Sequence, residues 1–210
     1  MRGRFISIEG GEGVGKSTQI AALAEAIRQA GHDVLVTREP GGTDGAEAIR
    51  QLLLDGNGDR WLPRAEALLF AAARSDHVDR LIKPAIEAGK WVISDRFLDS
   101  SRAYQSGGSG LADADIVALH AFGSQGFLPD RTLVLVLDPE EASERAAIRD
   151  AGRADRIGGR DAGFHAQVDA AFRAYAQQEP DRVRLIDATG DPATVTSRLY
   201  LEIADLLGAP

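Results

Sequence analysis

The most informative stretch of this sequence is a glycine-rich run of nine residues, Gly10-Gly11-Glu12-Gly13-Val14-Gly15-Lys16-Ser17-Thr18. A short apolar run at residues 5–9 precedes it. After it, apolar residues recur at positions 20, 23, 24 and 27, which lie on one face of a helix. This order predicts a strand, a loop and an amphipathic helix, the context in which G-x-x-x-x-G-K-[ST] forms a phosphate-binding loop.

The chemistry of this loop follows from its residue types. Glycines let several backbone N–H groups face one concavity, and the N-terminus of the following helix adds partial positive charge. We therefore expect residues 10–18 to hold nucleotide phosphates, with Lys16 at the terminal phosphates and the Ser17 hydroxyl on Mg²⁺. A glycine-rich turn with a purely structural role is the alternative, which the complete motif and its correct flanks disfavour.

Length, charge and cysteine usage narrow the class of protein. A chain of 210 residues predicts one domain, residues 1–210, with a sizeable core. Its net charge of −8 argues against nucleic acids and anionic membranes as partners. The absence of cysteine excludes disulfides, thiolate metal sites and cysteine nucleophiles. The chain enters its first strand without an apolar signal segment, so we expect a cytoplasmic protein.

Strands and helices alternate along the rest of the chain. Four more apolar runs are predicted strands, at residues 34–38, 91–95, 132–138 and 183–187. Helices are predicted at residues 46–54, 64–88, 114–122 and 164–177, and also after Pro139 and after Asp191. The Ser- and Gly-rich segment 100–110 leads to the helix at 114–122, and the glycine-containing segment 152–163 is expected to be a mobile loop. This alternation predicts an α/β fold with a five-stranded parallel sheet and helices on both faces, whose ligands bind at the carboxyl ends of the strands.

A phosphate-binding loop alone leaves three classes of protein open: a small-molecule or nucleotide kinase, a GTPase switch and an ATP-driven partition protein. A guanine-specific GTPase needs an N-K-x-D segment, but the single asparagine, Asn57, is followed by Gly58. Partition ATPases carry an extra lysine early in the loop, where this chain has Gly11. A kinase is therefore favoured, and it needs a second phosphate site, a lid and an acceptor pocket.

Five segments together resemble the bacterial thymidylate kinase family, in matching order and spacing over nearly the whole chain. They are GGEGVGKST at 10–18, TREPGGT at 37–43, LLFAAARSDH at 68–77, SDRFLDSSRAYQ at 94–105, and LVLDP to DRI between 135 and 157. The resemblance implies a P-loop nucleoside-monophosphate-kinase-like fold with a lid at about 145–163. It also implies transfer of the γ-phosphoryl group of ATP to dTMP, giving dTDP for dTTP biosynthesis, with Mg²⁺ and usually as a homodimer. A kinase for another nucleoside monophosphate or deoxynucleoside is the alternative.

Charged residues at the strand ends are the candidates for phosphate and metal binding. Arg96 is expected to grip the acceptor phosphate with its planar guanidinium, and Arg38 is a second candidate whose alternative is a solvated surface position. Asp95 is expected to contact Mg²⁺, directly or through water, unless it only caps a helix or pairs with Arg96. Glu12 should point away from phosphate, and the resemblance implies that it accepts a hydrogen bond from the 3′-hydroxyl of dTMP. Glu39 is a further candidate for orienting the same region.

Two helical segments supply the candidates for nucleoside binding. Phe70 and Arg74 are one turn apart on one helix face, and so are Ser101 and Gln105. The resemblance implies that Phe70 stacks on thymine and that Arg74 donates to a thymine carbonyl oxygen. It implies that Ser101 and Gln105 contact the edge of thymine, and that Tyr104 crowds the 2′ position of the sugar. The alternatives are a core position for Phe70 and an exposed loop position for Tyr104.

The transition state of phosphoryl transfer needs more positive charge than Lys16 can supply from the loop. Some family members carry an arginine inside the loop, where this chain has Gly13. The charge is therefore expected from the lid, where arginines recur at positions 145, 149 and 153 and another follows at 156. We expect at least one of Arg149, Arg153 or Arg156 to be catalytic, by analogy with arginine fingers. A solvated helix face is the alternative.

Overall fold

The sheet has five parallel strands, with the strand that precedes the glycine-rich loop at its centre. The computed structural model describes residues 2–56, 60–150 and 156–207. Its strands are β1 at Phe5–Gly10, β2 at Val34–Arg38, β3 at Trp91–Asp95, β4 at Arg131–Val136 and β5 at Val183–Asp187. They lie in the order β2-β3-β1-β4-β5 with every pairing parallel, which confirms the predicted sheet. Because β2 lies to one side of β1 and β4 to the other, a crevice opens at the carboxyl end of β1.

Nine α-helices surround the sheet in the part of the chain that the structure describes. They are α1 at Lys16–Gln29, α2 at Asp44–Leu54, α3 at Pro63–His77, α4 at Lys83–Glu87, α5 at Leu98–Ser101, α6 at Asp113–Ser124, α7 at Pro139–Asp150, α8 at Ala162–Gln178 and α9 at Pro192–Leu201. The Asp191 side chain accepts a hydrogen bond from the backbone N–H of Thr194, as expected of the cap before Pro192. Within residues 2–56, 60–150 and 156–207, no helix is long and apolar enough to span a bilayer.

The two faces of the sheet are covered by different helices. Alternate side chains of a strand point to opposite faces, so Ile6 and Ile8 pack with α1 and α9 while Phe5 packs with α3 and α6. All six residues of β1 are buried, as expected of a parallel strand covered on both faces. The sheet therefore holds the loop after β1 on a rigid support.

Two helical stretches of the structure contain a π-helical segment. The stretch predicted as one helix at 64–88, bent at Pro84, is α3 and α4 joined by a π-helical segment at Val78–Ile82. The Ser- and Gly-rich segment 100–110 contains the end of α5 and a π-helical segment at Arg102–Gly108. A Cβ on Gly107 or Gly108 would overlap α8, so these glycines allow close packing of two helices.

A buried ion pair anchors α5 to the sheet. Asp99 accepts hydrogen bonds from both terminal nitrogens of Arg182, at 2.6 and 2.9 Å, and from the Thr132 hydroxyl at 2.9 Å. Burial alone would raise the pKa of Asp99, but the hydrogen bonds and charge of Arg182 lower it below its ordinary value. The ionised pair thus fixes the helical turn that carries Ser100 and Ser101.

Candidate active site

A cavity at the carboxyl end of the sheet gathers most of the predicted site residues. Those that line it are Glu12, Gly13, Gly15, Lys16, Ser17, Thr18, Arg38, Glu39, Phe70, Arg74, Asp95, Arg96, Ser101, Tyr104 and Gln105. Arg50 and Arg145 also line it, although the sequence analysis did not name them as site residues. Of the other predicted residues in the loop, Val14 is buried in the core, and neither Gly10 nor Gly11 is among the lining residues.

The phosphate-binding loop lies directly against α7. Gly13 has a φ of 75°, in the left-handed region that favours glycine. A Cβ built on it would overlap the carbonyl oxygen of Ala142 and the backbone nitrogen of Ala146. Glycine is therefore required at position 13 both by the backbone conformation and by the close approach of a helix.

Lys16 is folded back over the loop that it follows. Its ammonium group donates to the carbonyl oxygens of Gly10 at 3.2 Å and Gly11 at 2.6 Å. Burial, with a further contribution from the nearby charge of Arg96, lowers the pKa of Lys16 to about 8. An anion bound in the loop would favour the charged form of this lysine, so phosphate binding and protonation are linked.

Arg96 connects the loop to the opposite wall of the cavity. It has a φ of 71° and donates to the Gly10 carbonyl oxygen at 3.0 Å and to a Glu12 carboxylate oxygen at 2.7 Å. Its guanidinium also lies 5.0 Å from the centre of the Tyr104 ring. The left-handed backbone and these contacts hold the guanidinium between the two sides of the site. Glu12 thereby belongs to an ion pair that partly balances the charge of Arg96.

A buried carboxylate that the sequence analysis did not single out stands behind Arg96. Glu9 accepts hydrogen bonds from the Phe97 backbone N–H at 2.7 Å and from the Ser100 hydroxyl at 2.5 Å. Burial, with a further contribution from the charge of Asp99, raises the pKa of Glu9 to about 7. The Ser100 hydroxyl in turn accepts from Arg96 at 3.1 Å. An acidic residue at the end of an otherwise apolar strand was the sequence signal that could have identified it.

The residues predicted to hold Mg²⁺ fit that role. Ser17 and Asp95 both line the cavity, and one carboxylate oxygen of Asp95 is buried without a hydrogen-bond partner in the structure. The described residues contain no group of three or more histidine, aspartate or glutamate side chains suited to a metal. Mg²⁺ typically takes one or two protein ligands together with substrate phosphates and waters, so this sparse donor set suits it.

A second buried network orients Arg74. Its guanidinium donates to Glu39 at 2.7 Å and to the Ser101 hydroxyl at 2.7 Å, and its side chain is 3% exposed. The other carboxylate oxygen of Glu39 lies 3.0 Å from a ring nitrogen of His77, whose second nitrogen lies 2.8 Å from the Thr37 hydroxyl. Glu39 therefore holds Arg74 and His77 in place, and its place in a turn motif gave no sign of these partners.

The other predicted nucleoside contacts surround Arg74. Phe70 is partly buried on α3, and Gln105 is buried and donates to Glu66 at 3.0 Å. The Tyr104 hydroxyl is buried without a hydrogen-bond partner in the structure, so Tyr104 is not the exposed loop residue of the alternative interpretation. Arg38 has a side chain that is 55% exposed and pairs with Glu47 at 3.1 Å, at the edge of the cavity.

The lid arginines are placed unequally. Arg153 and the side chain of Arg149 lie outside the described residues. Arg156 has a buried side chain that donates to Glu66 at 2.5 Å and to the Leu53 carbonyl oxygen at 2.8 Å, and it is not among the cavity-lining residues. Arg145 of α7 lines the cavity and pairs with Glu141 at 2.5 Å. Arg145 is therefore a cation of α7 that faces the site.

Substitution of Gly13 tests the contact between the loop and α7. We expect Gly13→Ala to destabilise the ligand-free protein by about 2–4 kcal/mol in urea unfolding, because it combines backbone strain with overlap. Gly11→Ala is the matched control, since a Cβ there meets nothing within 4 Å, and it should cost less than about 0.5 kcal/mol. Equal effects of the two substitutions would contradict the close approach.

The lowered pKa of Lys16 predicts proton uptake when nucleotide binds. Bound phosphates should raise the pKa of Lys16 above about 8, so ATP binding at pH 8 should take up about half a proton. By the same linkage, affinity should fall as pH rises above this value. Calorimetry in buffers of different ionisation enthalpy measures the uptake, and Lys16→Met should abolish it. Unchanged uptake in the variant would show that another group titrates.

Comparison with known proteins places this geometry in a family. The thymidylate kinase family profile matches residues 8–199. The thymidylate kinase of Rhizorhabdus wittichii is 61% identical over 207 residues, which cover 99% of this chain and 100% of the relative. The thymidylate kinases of Caulobacter vibrioides and Bradyrhizobium diazoefficiens are 46% and 47% identical, and the matches cover 99% and 98% of this chain and 99% and 91% of the relatives. The chain belongs to the thymidylate kinase family.

Proposed function

We propose that this protein is an ATP-dependent dTMP kinase that transfers the γ-phosphoryl group of ATP to dTMP, forming dTDP for dTTP biosynthesis. The observation that carries the proposal is the position of Arg96, which contacts the phosphate loop at Gly10 and lies over Tyr104 on the opposite wall. A donor phosphate at Lys16 and an acceptor phosphate at Arg96 would be neighbours in this cavity. The 61% identical relative supports the same conclusion.

The proposed mechanism is one of positioning and charge neutralisation. The acceptor phosphate of dTMP is already an anionic nucleophile, so no side chain has to remove a proton from it. Arg96 would hold this phosphate by its planar guanidinium, while Lys16 and the loop amides from Gly10 to Thr18 hold those of ATP. Mg²⁺ held by Ser17 and Asp95 would neutralise charge on the transferred group.

The nucleoside would lie on the α3 side of the cavity. Phe70 would stack on thymine, and Arg74, fixed by Glu39, would donate to a carbonyl oxygen of the base. Ser101 and Gln105 would contact the edge of the base. Tyr104 would crowd the 2′ position, and Glu12 would accept a hydrogen bond from the 3′-hydroxyl of the sugar.

The lid at about 145–163 would complete the site by excluding water and adding positive charge. Arg149, Arg153 and Arg156 remain the proposed sources of catalytic charge. Arg145 joins them because it lines the cavity in the structure. A catalytic role for Arg156 would require its buried pair with Glu66 to open.

An acceptor assay tests the proposed function. Purified protein with ATP and Mg²⁺ should release ADP most efficiently with dTMP when dUMP, dCMP and dGMP are the competing acceptors. Lys16→Ala should fold normally and lose activity by at least about 100-fold, because it removes a charge from the transferred phosphates. A higher kcat/KM for another acceptor would overturn the assignment to dTMP, and full activity of the Lys16 variant would overturn the role of the loop.

We also propose that the protein is a cytoplasmic homodimer that associates through α3 and α6. These helices pack side by side, and each has apolar side chains exposed to solvent. Phe122 of α6 is 92% exposed, Val117 of α6 is 42% exposed and Leu68 of α3 is 56% exposed. Exposed apolar side chains on adjacent helices are typical of a surface that a second copy covers.

Substitution of the most exposed of these side chains tests the dimer. Phe122→Glu should convert a dimer into a monomer in size-exclusion chromatography with light scattering, because a carboxylate would be buried in the interface. Leu201→Glu is the matched control, since Leu201 is 72% exposed but belongs to α9. A monomeric wild-type protein, or a Phe122→Glu dimer of unchanged stability, would contradict this interface.

A further inference from the structure

Glu66 is a buried carboxylate in contact with the cavity-lining residue Gln105, and the proposed mechanism gives it no role. It lies on α3, and its side chain is 1% exposed. It accepts a hydrogen bond from the side-chain amide of Gln105 at 3.0 Å. It also accepts from Arg156 at 2.5 Å and from Arg160 at 2.8 Å. Three donors from two separate segments therefore converge on one carboxylate.

This carboxylate determines which end of the Gln105 amide faces the cavity. Glu66 is held between two guanidinium groups, and an ionised carboxylate accepts hydrogen bonds but donates none. The NH₂ end of Gln105 must therefore face Glu66, since a carbonyl oxygen there would oppose a carboxylate oxygen. Gln105 lines the cavity, so its carbonyl oxygen is the end left for a ligand.

A Gln105 carbonyl oxygen that faces the cavity would distinguish thymine from cytosine. Thymine carries a proton on N3 and can donate it to the Gln105 carbonyl oxygen. Cytosine has a lone pair on N3, which would face that oxygen and leave both acceptors unsatisfied. A buried acceptor pair of this kind is costly, and sites built around a substrate N–H reject analogues that lack it.

We propose that Glu66 is a specificity-determining positioning residue, which locks the Gln105 amide so that the cavity accepts bases with a proton on N3 and rejects cytosine. This inference rests on the proposed function, because it places the acceptor base against Gln105. Glu66 contacts no substrate itself and acts only through Gln105. Arg156 and Arg160 neutralise its charge in the buried position, so the C-terminal part of the proposed lid stabilises the same lock.

The experiment compares dTMP with 5-methyl-dCMP, which share sugar, phosphate and methyl group and differ only at the N3–C4 edge of the base. The ratio of their kcat/KM values is measured for wild-type protein, Glu66→Gln and Arg160→Gln. In Glu66→Gln the amide at position 66 can donate or accept, so Gln105 can turn over. We expect the preference for dTMP to fall by about 10-fold or more. Arg160→Gln leaves the carboxylate and its bond to Gln105 intact, so its ratio should match that of the wild type.

A second variant provides the same test in case Glu66→Gln does not fold. The double substitution Glu66→Met with Arg156→Met removes both members of the buried pair and replaces them with apolar side chains, a change that proteins often tolerate. Its ratio should also fall by about 10-fold or more, whatever happens to the overall rate, because a ratio is unaffected by a common loss of kcat.

The outcomes separate this inference from the proposed function. A wild-type protein that does not phosphorylate dTMP would overturn the proposed function. A wild-type preference for dTMP that persists in both Glu66 variants, with folding verified by circular dichroism, would overturn only the role of Glu66. An equal fall of the ratio in Arg160→Gln would also overturn it, since the effect would then come from the lost ion pair.

Discussion

The buried carboxylate of Glu9 joins the two halves of the site. It lies next to the last residue of the central strand, immediately before the phosphate loop, and accepts hydrogen bonds from the Phe97 backbone N–H and the Ser100 hydroxyl. These contacts fix the turn after β3, where Arg96 takes its left-handed conformation. Because the pKa of Glu9 is raised to about 7, ionising it progressively costs folding stability as pH rises from its ordinary value toward 7. Placing Glu9 beneath the site therefore lowers the free energy of unfolding of the protein at neutral pH.

Three buried carboxylates of this protein each form an ion pair with an arginine and hold its guanidinium group in place. Glu39 holds Arg74, Asp99 holds Arg182, and Glu66 holds Arg156. In each pair the carboxylate is almost wholly buried, and the arginine donates a hydrogen bond to at least one further group. Buried ion pairs contribute little net stability, but breaking one leaves an uncompensated charge, so their geometry is strongly specified. Glu39 and Arg74 line the cavity, so this pair keeps its part of the wall in shape before any ligand enters.

The sheet and the loop could be predicted from the sequence because both follow from local patterns. Apolar runs gave all five strands to within a few residues, and the loop motif needs only nine consecutive positions. The partners of Glu9, Glu39 and Glu66 could not be predicted, since they lie in other elements and no periodicity connects them. The packing role of Gly107 and Gly108 could not be predicted either, because a glycine that admits a neighbouring helix and a glycine that bends a loop look alike in one sequence.

The contact of Gly13 with α7 limits where an enzyme of this family could place the arginine that neutralises charge during phosphoryl transfer. Ala142 and Ala146 occupy the space into which any side chain at position 13 would extend. An arginine placed there would need α7 to lie elsewhere, so a loop arginine and the present helix exclude each other by volume. Replacing the proposed lid arginines by an arginine in the loop would therefore require coordinated changes in the loop and in α7. No single substitution in the loop could accomplish it.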